Sequence, residues 1–313
     1  MNGEQLSTRP LVSIIIPARN EAVDIAMTLE ACLAIDYEPK EIIVVDDSTD
    51  TTPQIVQGYS DRSVVLIHRE KNANGCCGAR NLGMRQAKGE ILVIMNADDR
   101  PKSDFLNRLL VHYQNGADYV VVRSVVQNPE NCWARYIWAL ALKYFSTNPD
   151  MEWSEGFSCR KEAAEKVGYI PGDFQIPFCR DYLIGVELGR AGYRKQTDLG
   201  ITMEHVAPGD FRSFWNNRVW RGTFTAPFAY YFHKKTMPAI FVREVLKVAR
   251  TVLRYILIVP VVWEILSLTR FTQFRDFASF FWVHLVQDTA ITFGSAKGFF
   301  RLVNTGKAGV GRL

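Results

Sequence analysis

Residues 91–101 read ILVIMNADDRP, and the fold turns on how that stretch is parsed. Its first five residues are all apolar, the short unbroken run expected of a strand covered on both faces. Asn96, Asp98 and Asp99 follow where such a strand stops. In open α/β sheets the ligand crevice lies outside the carboxyl ends of the strands, so carboxylates there are aimed into it. Hard oxygen ligands suit Mg²⁺ or Mn²⁺, ions often bound together with substrate phosphates. The competing reading is a polar turn whose acids cap a helix.

On either side of this stretch, strand and helix signals alternate. Residues 12–17 (VSIIIP) are apolar and β-branched, and 21–35 then set Ile25, Leu29, Cys32 and Leu33 at helical spacing. Residues 41–46 (EIIVVD) repeat the strand signal, 51–58 make a short helix closed by Gly58, 64–68 a third strand, and 75–87 a helix entered through glycine. Beyond them 105–114, 132–145, 161–167 and 181–191 read as helices and 119–126 as a strand. The aromatic residues of 132–145, among them Trp133, Trp138, Tyr144 and Phe145, read as packing. The predicted fold class is α/β, a Rossmann-like, mainly parallel sheet with helices on both faces. Its polar strand ends, at 17–21, Asp46 and 96–99, are expected to meet at one edge.

Composition narrows the classes. A chain of 313 residues holds one large domain or two smaller ones with ample core. A net charge of +4 is too mild for a nucleic-acid binder. Six cysteines without a CxxC pair argue against a zinc or disulfide framework and for a reduced compartment. The N-terminal MNGEQLSTRP is polar and lacks the apolar core of a signal peptide, so a cytoplasmic location is expected. There is no internal repeat.

PARNEA at 17–22, VVDDS at 44–48, GARNLGMRQAKGE at 78–90 and NADD at 96–99 together resemble the family 2 glycosyltransferases of GT-A fold. Each block is weak alone; four in order at expected strand ends are specific. The resemblance covers about the first 235 residues. It implies transfer of a sugar from a nucleotide-diphosphate sugar to the hydroxyl of a lipid-linked, polysaccharide or other acceptor, with inversion and a divalent cation, Mn²⁺ or Mg²⁺. It also implies a nucleotide-sugar site of Pro17, Glu21, Asp46, Arg80, Asn96 and Asp98, in which Asp46 accepts from a base N–H or ribose hydroxyl. For Arg80 the alternative is a solvated charge on a helix face.

The metal block departs from the family's DxD, because Asn96 stands at its first acid. An amide oxygen can accept or ligate but does not neutralise charge. Asp98 is therefore the expected metal ligand, with His205 of TMEHVAP completing the shell as in other members. The segment FCRDYLIGVELGRAGYR matches the family's acid pair at a helix start, with Asp181 in the position of the catalytic base and Arg180 replacing the other acid. The alternative for Asp181 is a helix cap. The loop at 153–161 (WSEGFSCRK) resembles the acceptor side, Gly156 permitting close approach. Arg218 and Arg221 of NNRVWRGTF fall in the family's basic, aromatic stretch and suit phosphate recognition, against an ordinary exposed helix face.

Two domains follow: a catalytic one at 1–235, with a nucleotide-sugar half to about residue 100 and an acceptor half at 101–235, and a helical region at 236–313. Within the latter the longest apolar run, 255–263 (YILIVPVVW), is too short to span a bilayer, and Pro260 should kink or end its helix. Broken apolar segments at 277–285 and 291–300, salted with Arg275, Lys297 and Arg301, fit helices lying in a membrane interface, with a packed subdomain as the alternative. The expected location is the cytosolic face of a membrane. Two rival functions are a noncatalytic sugar-nucleotide binding or assembly protein, with Asn96 and Arg180 as signs of erosion, and a nucleotidyltransferase, which PARNEA disfavours because it lacks a glycine-rich phosphate loop.

Overall fold

The computed structural model describes residues 7–69, 75–148, 152–171, 181–231 and 233–305. The chain runs β1 (Val12–Ala18), α1 (Ile25–Leu33), β2 (Lys40–Asp46), α2 (Thr52–Gln57), β3 (Val64–His68), α3 (Gly75–Gln86), β4 (Ile91–Ile94), β5 (Asp99–Pro101), α4 (Phe105–Gln114) and β6 (Tyr119–Val126). It continues through α5 (Cys132–Thr147), β7 (Ser158–Arg160), α6 (Lys161–Lys166), α7 (Leu183–Arg190), β8 (Lys195–His205), α8 (Phe211–Thr223), α9 (Thr225–Tyr231), α10 (Met237–Leu257), α11 (Val259–Thr269) and α12 (Phe277–Thr305).

These elements form two compact units. The first comprises residues 1–125, 150–173 and 177–205, the second 126–149, 174–176 and 206–313. The first carries an eight-stranded sheet in the order β3-β2-β1-β4-β7-β6-β8-β5. Strands β3, β2, β1 and β4 are parallel, whereas β4 with β7, β6 with β7, and β5 with β8 pair antiparallel. The apolar runs of β1 and β4 have a direct cause, since each supplies two cores. Val12, Ile14, Ile16, Ile91, Val93 and Met95 pack on one face with Ile25, Leu29, Phe105 and Leu109. Ile15, Leu92 and Ile94 pack on the other with Met84, Ala87, Ile184 and Leu188.

The antiparallel half is where the sheet departs from the mainly parallel expectation. β5 and β7 have three residues each, too few to show alternation, and β8 (KQTDLGITMEH) is only partly buried, so no period-2 signal marks it.

The second unit is helical. Its core joins Tyr136, Ala139 and Phe214 with Val261, Ile265, Leu268, Phe280 and Val283. Thus α5, α8 and α9, expected on the catalytic side of residue 235, cluster with the C-terminal helices because their apolar faces are buried there. α12 packs closely on α8 through glycines: a Cβ on Gly294 would strike the carbonyl of Val219, and one on Gly298 that of Thr223. α12 is one continuous helix rather than the two broken apolar segments. The polar residues between them are satisfied inside: Gln287 Nε2 donates to Tyr136 Oη at 3.1 Å and Asp288 Oδ2 accepts from Arg254 Nη1 at 3.1 Å. The apolar run at 255–263 breaks at Ile258, where φ is +54°, and Pro260 sits in the first turn of α11. Among the described residues no single helix is long and apolar enough to cross a membrane; α10 and α11 reach that measure only together, bent by 83°.

Candidate active site

Because β1, β2 and β4 run parallel, their carboxyl ends open at one edge. Pro17 is half-buried in β1 opposite Val45, and Asp46 ends β2 opposite Ala18. The loops beyond are tied together: Asn20 N–H donates to Ser48 Oγ at 2.7 Å, Thr49 N–H to Asn20 Oδ1 at 2.9 Å, and Glu21 N–H to Thr52 Oγ1 at 2.9 Å. Asp46 is 0% exposed, with Oδ2 2.8 Å from His68 Nδ1. An ionised carboxylate only accepts, so His68 presents its N–H there. Asp46 Oδ1 is buried and has no hydrogen-bond partner among the described residues, leaving an acceptor for a ligand's donor. The neighbouring Asp47 is taken by Arg69, whose Nε and Nη2 donate at 2.6 and 2.5 Å.

Arg80 is 4% exposed, which removes the solvated-face alternative. The reason lies one turn on, at Gly83. A Cβ there would stand 2.6 Å from Ile15 Cγ2, so the missing side chain lets α3 lie against β1 and β2 and turns the Arg80 face inward. Arg80 Nη1 is 2.6 Å from Asp181 Oδ2, and Nη2 donates to Asn96 Oδ1. The first residue of the NADD block is therefore held by Arg80, and its backbone N–H donates to Asp99 Oδ2 at 2.7 Å. Asp181 does not cap a helix: α7 begins at Leu183 with Tyr182 before it, and no side chain caps that end. Arg180 lies outside the described residues.

Acids crowd the mouth of β4. Burial raises the Asp98 carboxyl; His205 opposes the rise, and Glu155 and Asp24 add to it. Asp99, wholly buried, is pushed well above the carboxylate range by burial, then by Glu155 and Asp98. Burial, reinforced by Asp98, Asp24 and Asp50, pushes Glu21 up to about 7. Antiparallel pairing of β5 with β8 sets Asp99 opposite His205. Asp99 Oδ1 and Glu155 Oε2 are buried without hydrogen-bond partners among the described residues.

Positive charge offsets part of this crowding: Arg100 Nη2 is 3.0 Å from Asp24 Oδ1, and Arg80 opposes the rise at Asp99. Among the described residues no three His, Cys, Asp or Glu side chains are grouped closely enough to hold a metal by themselves. Mg²⁺-type sites usually need only one or two carboxylates, waters and substrate phosphates completing the shell. Asp98 with His205 therefore fits a hard cation arriving with a diphosphate. Asp99 belongs to the acid cluster that the sequence already marks at the end of β4, whereas Glu155 and His68 have no part in that reading; of these two only Glu155 carries a signal, as an acid directly before Gly156.

Gly156 has φ +72°, and a Cβ on it would stand 2.6 Å from Val122 Cγ2, so the turn into β7 requires glycine. Arg218 and Arg221 belong to the helical unit. Arg218 is 7% exposed rather than on an open helix face; its guanidinium lies 4.8 Å from the Phe214 ring, and Nε has no hydrogen-bond partner among the described residues. Burial, followed by the charge of Arg221, lowers it to about 9. Arg221 is exposed.

The model of the family described as "Glycosyl transferase family 2" matches residues 13–170. Succinoglycan biosynthesis protein ExoO of Rhizobium meliloti is 35% identical over 111 residues, 35% of this chain and 32% of that protein. The UDP-Glc:alpha-D-GlcNAc-diphosphoundecaprenol beta-1,3-glucosyltransferase WfaP of Escherichia coli is 39% identical over 90 residues, 28% of this chain and 36% of that one. The chain thus spans about a third of the length of these curated relatives. Among solved structures, mannosyltransferase PcManGT from Pyrobaculum calidifontis, in complex with GDP-Man and Mn²⁺, superposes with a TM-score of 0.61 at 20% identity, over 93% of this chain and 88% of that one. The sheet and helices described above are accordingly those of a GT-A fold.

Proposed function

The chain belongs to glycosyl transferase family 2, and from that premise we propose that it transfers a glycosyl residue from a nucleotide-diphosphate sugar to an acceptor hydroxyl, with inversion and with Mn²⁺ or Mg²⁺. The observation that carries this reading is the crowding of Glu21, Asp98 and Asp99, whose carboxyls are raised, with Glu155 beyond the carboxyl end of β4. In this reading Asp46, with an unused buried oxygen, accepts from the base or ribose, beside Pro17 and Glu21. Asp98 and His205 hold the cation, and Arg80 orders Asn96 and Asp181 from one guanidinium. When bound, the cation neutralises the departing diphosphate as a Lewis acid. Asp181, held in place by Arg80, takes the acceptor proton as the acceptor oxygen attacks the anomeric carbon. The 153–161 loop, turning at Gly156, borders the acceptor. Arg218 and Arg221 recognise phosphate, for which a buried guanidinium with an unused donor is suited.

The acceptor class is a lipid-linked or polysaccharide hydroxyl, supported by the names of the relatives ExoO and WfaP. Attachment to the cytosolic face of a membrane belongs to the same reading. Its support is the exposed apolar face of α10 and α11, where Val242, Leu246, Leu253, Ile256 and Trp263 are all at least half exposed.

Thermal shift against a panel of nucleotide sugars, with and without Mn²⁺, tests the site, because a ligand of the native state raises its stability. One donor should give a Mn²⁺-dependent shift that Asp98→Ala abolishes and Asn96→Asp preserves. An unchanged shift in Asp98→Ala would end the metal assignment. Donor binding without turnover or hydrolysis would instead favour a noncatalytic binding protein.

A further inference from the structure

Within the helical unit, an open cavity of about 520 Å³ lies between α9, the start of α10 and the end of α12, lined by Tyr230, Met237, Phe241, Phe299, Leu302 and Val303. That is the size of ligand pockets, which are usually apolar with a few polar groups. Phe241 and Val303, 53% and 49% exposed, stand at its mouth. From Phe241 the apolar surface continues along α10 through Val242, Val245, Leu246, Val252 and Leu253, all at least half exposed.

Charge identifies what covers this surface. Residues 233–254 carry six Lys and Arg and a single acid, Glu244. Lys234 and Lys235, in the turn leading into α10, are exposed and make no ion pair among the described residues. Arg243 is paired with Glu244 and Arg254 with Glu264 and Asp288, so the open charge here is that of Lys234, Lys235 and Arg250, which a second copy of the chain would bring against itself. A peptide in the cavity would leave its amides unsatisfied against hydrocarbon. An anionic phospholipid meets both demands: its chain fits the apolar cavity, and its phosphate faces the lysines.

We infer that this cavity holds one acyl chain of an anionic phospholipid drawn from the bilayer on which α10 lies. The inference rests on the membrane-attachment reading and adds a discrete lipid site to it. It is tested with the full chain on vesicles of phosphatidylcholine and phosphatidylglycerol containing a trace of phosphatidylglycerol with a diazirine near the end of one acyl chain. After photolysis, label is expected at Met237, Phe241, Phe299 and Leu302. Val303→Trp, which fills the mouth, should lose most of that label while still sedimenting with the vesicles. Label confined to the outer α10 face, with none on Phe299 or Leu302 of the unaltered protein, overturns the cavity site but leaves attachment standing. Label displaced by a polyprenyl phosphate and not by excess phosphatidylglycerol overturns the phospholipid as occupant. Absence of sedimentation overturns the attachment reading, and the site with it.

Discussion

Replacing Arg80 by alanine probes the joint that holds the site together. Its guanidinium meets Asp181 at 2.6 Å, with the two side chains only 5% and 13% exposed. Removing one partner of a buried pair strands the other charge, at a cost of about 3–5 kcal/mol. For a unit of this size each kcal/mol lowers the melting temperature by roughly 2–4 °C, so Arg80→Ala should melt roughly 6–20 °C lower. The double variant Arg80→Ala/Asp181→Ala removes the stranded charge as well, and should recover part of the loss, with a coupling of about 0.5–3 kcal/mol. Scanning fluorimetry of the four proteins reads this cycle. A fall of less than about 2 °C in Arg80→Ala, well below the range expected for a buried pair, would refute the reasoning, as would strictly additive losses in the double variant. Catalysis is then separable from stability. Asp181→Asn keeps an acceptor for Arg80 but takes no proton, so turnover at saturating donor and acceptor should fall about 10²- to 10⁴-fold. A loss under about tenfold returns Asp181 to a structural role.

Glu21 sets a pH dependence. Its carboxyl is raised to about 7 by burial and by Asp98, Asp24 and Asp50, whereas an unfolded glutamate titrates near about 4.3. The native state therefore holds more protons across that window, and stability falls as pH rises through it. Glu21→Gln should melt above the unaltered protein at about pH 8, the gap narrowing toward about pH 5, in melting curves taken across the range. In the helical unit, Gly294→Ala and Gly298→Ala drive a methyl into the carbonyls of Val219 and Thr223, at an expected cost of about 1–3 kcal/mol or more, read by thermal denaturation. Leu253→Glu with Ile256→Glu places charge on the exposed α10 face and should abolish flotation with anionic liposomes; high salt should weaken flotation of the unaltered protein. Equal flotation of variant and parent would show that this face is not the attachment.

Local pattern determined several elements outright. β3, α4 and β6 have the bounds their pattern dictates, because a strand is written as a short β-branched apolar run and a helix with one buried face as a 3.6-residue repeat. The acids at strand ends were legible too, since parallel strands of fixed direction carry their carboxyl ends to a common edge. Tertiary structure decided the rest. The three-residue strands β5 and β7 exist only because partners pair with them, and neither is long enough to leave a period. Arg80, Asn96 and Asp181 are separated by 16 and 85 residues, so only folding shows one guanidinium serving both. Likewise Glu155 acquires its place beside Asp98 and Asp99 from the turn at Gly156, and nothing in its neighbours along the chain records that proximity. In α12, composition suggested two helices, whereas Gln287 and Asp288 find partners on α5 and α10. A polar residue interrupts an apolar helix only when nothing inside satisfies it, and that is a property of the packed chain.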